Sequence, residues 1–203
     1  MKPFEDLLAA SAAAHGHLCP GQVIGVRMAM LGCRLIGLDD PTSHDQIKKL
    51  IVYVEMDRCA GDAVAHVTGA KLGRRSLKFL DYGIMAATFV NLLTGKAVRV
   101  VAREDARDAA ADRFPDILDK YEAQREAYKV MPESELFDKA EVIVTIRPED
   151  MPGRPSGKAR CCVCGEFIRD RRERRLENKV LCRACAGESY YGFFEEDRYA
   201  KKP

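Results

Sequence analysis

The sequence lacks any long apolar run and any strong excess of one charge. No segment approaches the roughly 18 uninterrupted apolar residues that a membrane-spanning helix needs. The Ala-rich start follows Glu5 and Asp6, whereas a secretory signal begins with a basic region. The formal net charge of +2 is too small to indicate a polyanion partner for the whole chain. We therefore expect a cytoplasmic protein that makes no membrane contact.

Internal repeats and low-complexity tracts are also missing, which excludes solenoid and disordered architectures. The 203 residues are 47% hydrophobic, enough for one ordinary domain and a small appendage. Between Glu149 and Lys158 the chain is rich in Pro, Gly and Ser, a composition typical of a linker. The predicted parts are a main domain over 1–148, a linker over 149–160, a zinc ribbon over 161–187 and a tail over 188–203.

The main domain is predicted to be α+β, with helices and an antiparallel sheet. The spacing of its apolar residues alternates along the chain between that of a helix and that of a strand. Gly and Pro lie at the positions where the spacing changes. Asp57 is predicted to cap the third helix. The predicted helices are Pro3–Ala14, Gln22–Leu38, Asp57–Thr68, Glu104–Ala111 and Pro115–Tyr128, and the predicted strands are Lys49–Met56, segments of Leu77–Leu93, Ala97–Ala102 and Ala140–Ile146.

The eight cysteines are clustered, and in a reducing cytosol this favours metal binding over a disulfide framework. Two CxxC pairs separated by 17 residues are typical of a tetrahedral zinc site. Cys161 is preferred to Cys162 as a ligand because it gives the two-residue spacing to Cys164. Four thiolates leave no open position, so the predicted role is structural. The predicted zinc ligands are Cys161, Cys164, Cys182 and Cys185.

Basic residues crowd the predicted ribbon, and such runs can neutralise nucleic-acid phosphates. Acidic residues interleave with them, and a cluster of zinc thiolates carries negative charge that nearby arginines would offset. A solvated face or a protein contact is therefore preferred to nucleic-acid binding. The basic residues are Arg169, Arg171, Arg172, Arg174, Arg175, Lys179 and Arg183, and the acidic ones are Asp170, Glu173 and Glu177.

A second candidate metal site lies near the amino terminus. His15, His17 and Cys19 occupy five consecutive positions in a Gly-bracketed loop before a helix. Imidazole nitrogen and thiolate sulfur suit zinc or another divalent transition metal.

Cys59, Asp62 and His66 share one face of the third predicted helix at spacings i, i+3 and i+7. The helix N-terminus and Arg58 would stabilise a Cys59 thiolate. We expect this face to meet the loop, giving a site with His17, Cys19 and Cys59 as ligands, Asp62 as base or orienter, and His15 and His66 as additional candidates. The alternative is that Cys59 and His66 are simply packed. Cys33 is expected in the core and His44 on the surface.

Three segments, HGHLCPGQVIGVRMA at 15–29, VEMDRCAGDAVAHVTGAKLG at 54–73 and DYGIMAATF at 81–89, together resemble the FmdE family. That family is named for a component of formylmethanofuran dehydrogenase, a molybdenum or tungsten enzyme. The resemblance implies an α+β main domain with a metal-binding active site, and in longer members a zinc ribbon. It also implies homodimers in which the ribbon contacts the neighbouring protomer.

The family's HxC element falls on His17 and Cys19, and its CAxDA-like element on Cys59 and Asp62. Relatives carry a cysteine where this chain has Ala70, so a function that needs that thiol is not expected here. Three functions follow as hypotheses. The first is a metal-dependent enzyme, the second an accessory to a molybdenum or tungsten oxidoreductase, and the third a regulator that binds nucleic acid through the ribbon. The sequence leaves enzymatic activity open.

Overall fold

The computed structural model describes residues 1–194 of the chain. They form two compact units, one spanning Met1–Thr145 and the other beginning at Ile146. Much of the predicted tail, from residue 195 onward, lies outside the described residues.

Short turn-forming residues set the ends of the helices in the larger unit. Pro20 occupies the first turn of α2, where its missing N–H costs nothing. Gly69 ends α3 in the left-handed conformation, with φ of 67°. Asp119 caps α5 by accepting a 2.7 Å hydrogen bond from the Glu122 amide. The helices are α1 (Phe4–His15), α2 (Pro20–Leu35), α3 (Cys59–Thr68), α4 (Asp105–Arg113), α5 (Lys120–Val130) and α6 (Glu133–Leu136).

A five-stranded, mostly antiparallel sheet accompanies these helices, in the order β2-β1-β3-β4-β5. Only the pairing of β1 with β2 is parallel, and α3 lies in the crossover between them. The α+β prediction is confirmed. The strands are β1 (Leu50–Val54), β2 (Leu77–Phe79), β3 (Ala86–Asn91), β4 (Ala97–Ala102) and β5 (Phe137–Glu141).

The core lies between the helices and one face of the sheet. Alternate residues of the central strands, Val52, Phe89 and Val100, are fully buried there. Helix α2 is central to this layer and packs against α1, α3, α5 and β4. Cys33 on α2 is fully buried, as predicted, and burial raises the pKa of its thiol to about 12. Because Cys19 is the N-cap of α2, the packing of this helix fixes the position of the candidate site.

Two local predictions are wrong. The last strand of the sheet is Phe137–Glu141, not Ala140–Ile146, and the side chain of Ile143 is almost fully exposed. Phe137 pairs with Ala102 and is buried, so burial of this side chain outweighs the higher β propensity of the following residues. Helix α3 begins at Cys59 with Arg58 as its N-cap and has no side-chain cap, so Asp57 does not cap it.

The smaller unit contains two short antiparallel hairpins and a helical turn over Ala184–Glu188. Strand β6 falls within the stretch predicted as a linker. Glu177 and Asn178 have positive φ in the second hairpin turn, a conformation that Asn tolerates. The strands are β6 (Lys158–Arg160), β7 (Phe167–Arg169), β8 (Arg174–Leu176) and β9 (Lys179–Leu181).

Within residues 1–194, no helix combines the length and the apolar character that crossing a bilayer would require.

Candidate metal centres

The four cysteines of the CxxC pairs meet in the smaller unit. Cys161 and Cys164 lie in the turn between β6 and β7, and Cys182 and Cys185 follow β9. Gly165, with φ of 74°, lets its amide donate to the Cys161 carbonyl and close the first turn. The Cys162 amide donates to the carbonyl of Val180 at 2.9 Å, which joins the two hairpins.

The geometry of these sulfurs fits zinc. All four Sγ atoms lie within 4.8 Å of one another, and those of Cys164 and Cys182 are 3.8 Å apart. A tetrahedral ion with Zn–S bonds of about 2.3 Å separates its sulfurs by roughly 3.8 Å. Burial opposes ionisation of Cys161, but hydrogen bonds from neighbouring backbone amides outweigh it and lower the pKa of this thiol to about 6. The smaller unit therefore carries a four-cysteine zinc-binding motif, while Cys162 lies outside the cluster and is exposed.

Several arginines of the basic run are paired within the smaller unit. Arg172 forms a 2.6 Å ion pair with Asp150, and both Arg174 and Arg183 contact Glu188. Arg175 pairs with Glu173. These partners leave fewer free cations for phosphate than the sequence count alone indicates.

In the larger unit, the loop joining α1 to α2 gathers three potential ligands. His15 ends α1, Gly16 turns the chain with φ of 97°, and Cys19 is the N-cap of α2. One donor atom each from His15, His17 and Cys19 lies within 4.8 Å of the others. Among the described residues outside the smaller unit, this is the one such group of three or more metal-capable side chains.

His15 is oriented by a carboxylate. Its Nδ1 lies 3.0 Å from Oδ2 of Asp62 on α3. The other ring nitrogen, Nε2, is buried and has no hydrogen-bond partner, a condition that no other buried side-chain nitrogen or oxygen of the described residues shares. A histidine held by a carboxylate on one nitrogen, with the other free, is the usual arrangement of a metal ligand. The donor set and the orphaned nitrogen thus fit a bound ion.

Cys59 joins this group through Cys19. Its thiol interacts electrostatically with that of Cys19, and a methyl group added at Gly21 would lie 2.9 Å from Cys59 Cβ and 3.7 Å from Cys19 Sγ. Burial and then the contact with Cys19 raise the pKa of the Cys59 thiol. Burial and Cys19 therefore outweigh the stabilisation that the helix N-terminus and Arg58 were predicted to give the thiolate.

A buried polar chain fixes Cys59 in place, and the sequence analysis did not predict it. Ser11 Oγ donates to Oε1 of Gln22 at 2.5 Å, and Gln22 Nε2 donates to the Cys59 carbonyl at 2.7 Å. Gln22 is fully buried and Ser11 nearly so. A glutamine within an apolar helix was the available clue, since buried amides need partners. The chain connects α1, α2 and the first residue of α3.

Replacing Gln22 with Met should destabilise the protein by about 1–3 kcal/mol, because the Cys59 carbonyl and Ser11 hydroxyl would lose their partner. Urea unfolding would measure this loss. The double variant with Ser11→Ala should cost less than the sum of the two single changes, since both remove one network. Strict additivity would contradict the coupling.

His66 and Ala70 lie away from the ligand loop. His66 is exposed and lines a separate cavity of about 430 Å³ beside Leu7 and Ala10, more than a helical turn before His15 on α1. Ala70 is buried at the opposite end of α3 from Cys59. A ten-residue helix is about 15 Å long, so a cysteine at position 70 could not join this loop. His44 is exposed, as expected.

Comparison with known proteins gives a family match for each unit. Residues 14–151 match the family model described as FmdE, molybdenum formylmethanofuran dehydrogenase operon, and residues 154–191 match the prokaryotic dksA/traR C4-type zinc finger. A tungsten formylmethanofuran dehydrogenase FmdE-like protein from Syntrophus aciditrophicus has a similar fold, with a TM-score of 0.59 at 21% identity. That similarity covers 93% of this chain and 95% of the other.

A probable S-adenosyl-L-methionine-binding protein from Archaeoglobus fulgidus is 30% identical over 202 aligned residues. The match covers 91% of this chain but 53% of the relative, so the chain spans about half the length of that protein. Its name therefore describes a longer molecule. The family match, by contrast, covers more than half of this chain and includes the ligand loop, α3 and the sheet. The chain belongs to the FmdE family and carries a C4-type zinc finger after the FmdE domain.

Proposed function

We propose that the larger unit is a metal-dependent catalytic domain in which His15, His17 and Cys19 hold a divalent transition ion. The observation that carries this proposal is the buried, unpartnered Nε2 of His15 beside two further donor atoms. Leaving such a nitrogen without a partner costs about 1–3 kcal/mol, which coordination would remove. Three protein ligands leave a position for water or substrate, as catalytic zinc sites do.

The surrounding side chains have distinct roles in this site. Asp62 holds the His15 ring through Nδ1 and so leaves Nε2 free for the ion. Cys59 lies beside Cys19, where its thiol would be available to a molecule at the open position or to the ion. When bound, the ion would supply Lewis acidity and a water of lowered pKa. His17 is exposed, which places the site within reach of solvent.

The alternative of nucleic-acid binding through the ribbon has less support. The pairing of Arg172, Arg174, Arg175 and Arg183 with carboxylates favours an internally neutralised surface. An accessory role beside an oxidoreductase remains compatible with the same metal site, and substrate screening of the metal-loaded protein would separate it from catalysis.

Metal content tests the proposal. The full chain, loaded with zinc and freed of excess, should hold two equivalents per protomer, and His17→Ala should hold one, because His17 is exposed and its loss should leave the fold intact. Elemental analysis with circular dichroism would measure both. His44→Ala, an exposed histidine outside both centres, is the matched control and should keep two equivalents. A zinc content of one equivalent per protomer in the unaltered chain would contradict the proposal. An unchanged zinc content in His17→Ala would contradict it as well.

A further inference from the structure

A small cleft adjoins the ligand loop on another side of α2. Its walls include the first residues of α2 (Pro20, Gly21 and Ile24), Met85 before β3, and Gln124 and Tyr128 on α5. The volume of the cleft is about 60 Å³. A water molecule occupies about 30 Å³ in the liquid, so the cleft has room for a group of a few heavy atoms.

Gln124 is the unexplained residue in this wall. It is 94% buried, since 6% of its surface is exposed. Within the described residues, its side-chain amide makes no hydrogen bond, whereas buried amides in folded proteins are almost always paired. The amide atoms are not sealed in the core either, because His15 Nε2 is the only fully enclosed side-chain nitrogen or oxygen there without a partner. The Gln124 amide is therefore reached from the cleft.

Charged groups at the cleft already have partners. Arg103 forms ion pairs with Asp105 and Asp138, at 2.6 and 3.1 Å. Arg107 lies 3.4 Å from Glu104 and interacts electrostatically with the Tyr128 hydroxyl. The cleft thus offers no unpaired charge among the described residues, and an ionic ligand would gain little there. A neutral group that both donates and accepts hydrogen bonds complements the Gln124 amide.

The cleft and the ligand loop share Gly21. This residue lines the cleft, and a methyl group built on it would be 3.7 Å from Cys19 Sγ. One residue without a side chain therefore separates the two. Gly21 therefore places the cleft next to the ligand loop.

We propose that this cleft binds a carboxamide group of the substrate, with the Gln124 amide as the residue that recognises it. This inference rests on the proposed function, because it identifies the bound molecule as a substrate. Binding of the carboxamide itself does not need the metal. A carboxamide has three heavy atoms beyond its substituent, so it matches the volume. It presents one N–H donor edge and one carbonyl acceptor to the corresponding groups of Gln124. Ile24 and Met85 supply apolar contact for its carbon atoms.

A titration of the full-length protein with acetamide tests this proposal. Binding would be monitored through the chemical shifts of the protein's backbone amides in NMR spectra. So small a ligand should bind weakly, with a Kd of roughly tens of millimolar. Gln124→Met keeps the side-chain volume and removes both polar groups, so it should weaken acetamide at least tenfold. Gln46→Met, which alters a surface glutamine bonded to Asp39, should leave acetamide binding unchanged.

Acetate provides the chemical control and should bind at least tenfold more weakly than acetamide. Equal binding of acetate would overturn the assignment of a neutral group. If acetamide does not bind, or binds equally well to Gln124→Met, the proposal is wrong and the cleft holds only solvent. The melting temperature of Gln124→Met should be unchanged or higher, because the change removes a buried amide that has no protein partner. Repeating the titration on His17→Ala separates the two proposals, since acetamide should still bind there even if the metal is lost.

Discussion

Removing the zinc ion from the smaller unit should unfold that unit and leave the larger one folded. The described part of the smaller unit has strands of three residues each, and only Cys161 and Leu181 among its apolar side chains are buried. So small a core cannot offset the entropy lost on folding, which is on the order of 1–2 kcal/mol per residue. Structural zinc contributes about 10–16 kcal/mol in comparable four-ligand sites. Zinc therefore accounts for most of the stability of this unit.

Cys185→Ser is the variant that tests this dependence. Hydrogen exchange at residues 158–188 should become fast, while exchange in α2 and β3 stays slow. Cys162→Ser is the matched control, because Cys162 lies in the same turn but is exposed and outside the cluster. It should leave exchange and zinc content unchanged. Slow hydrogen exchange in the ribbon of Cys185→Ser would contradict a zinc-dependent fold. An equal loss of exchange protection and of zinc in Cys185→Ser and Cys162→Ser would also contradict it.

Gly25→Ala should be among the most destabilising single changes in the larger unit. Gly25 lies where α2 crosses α3, and an added Cβ would be 2.6 Å from the Ala60 carbonyl oxygen and 2.7 Å from Ala63 Cβ. These neighbours are backbone or short, rigid groups, so the helices themselves would have to move apart. Overpacking of this kind costs about 3 kcal/mol, which exceeds the gain of about 1 kcal/mol in helix propensity from Gly to Ala.

The same displacement should reach the candidate site, because α3 begins at Cys59. We expect Gly25→Ala to lower the urea midpoint strongly and to move Cys59 and Asp62 relative to the ligand loop. Gly73→Ala is the control, since an added Cβ there meets no atom within 4 Å. Its free energy of unfolding should change by less than about 0.5 kcal/mol. Similar midpoints for the two variants would show that α2 and α3 can separate at little cost.

Local signals predicted much of this fold. Gly and Pro marked the ends of α1, α2 and α3, and the apolar pattern gave β4 with its observed bounds, Ala97–Ala102. The edge strand β5 was misplaced because Val142 to Ile146 has the stronger β propensity, whereas pairing with β4 selects Phe137–Glu141. The parallel pairing of β2 with β1 is a long-range choice that no local pattern encodes.

The candidate sites likewise include residues that local sequence patterns predicted and residues that they did not. The spacing of the CxxC pairs identified all four ribbon cysteines, since a knuckle is a local structure. From helical spacing alone, the three residues on one face of α3 were equally good candidates for the site. They are Cys59, Asp62 and His66. The structure separates them because α1 crosses α3 in such a way that Asp62 meets His15, while His66 faces the earlier residues Leu7 and Ala10. Gln22 and Gln124 were missed because their importance depends on which partners the fold gives or denies them.

The two centres also differ in how far apart along the chain their ligands lie. The donors of the larger unit occupy five consecutive positions, 15–19, whereas those of the ribbon span 161–185. An unfolded chain keeps the five-residue set almost intact, so an ion could remain attached to it after the domain has melted. Binding to the unfolded chain cancels the stabilisation that binding to the native state provides. Chelators should therefore melt the ribbon yet barely shift the melting temperature of the FmdE domain. An ion at the site proposed for that domain could therefore bind during synthesis, once residues 15–19 have left the ribosome.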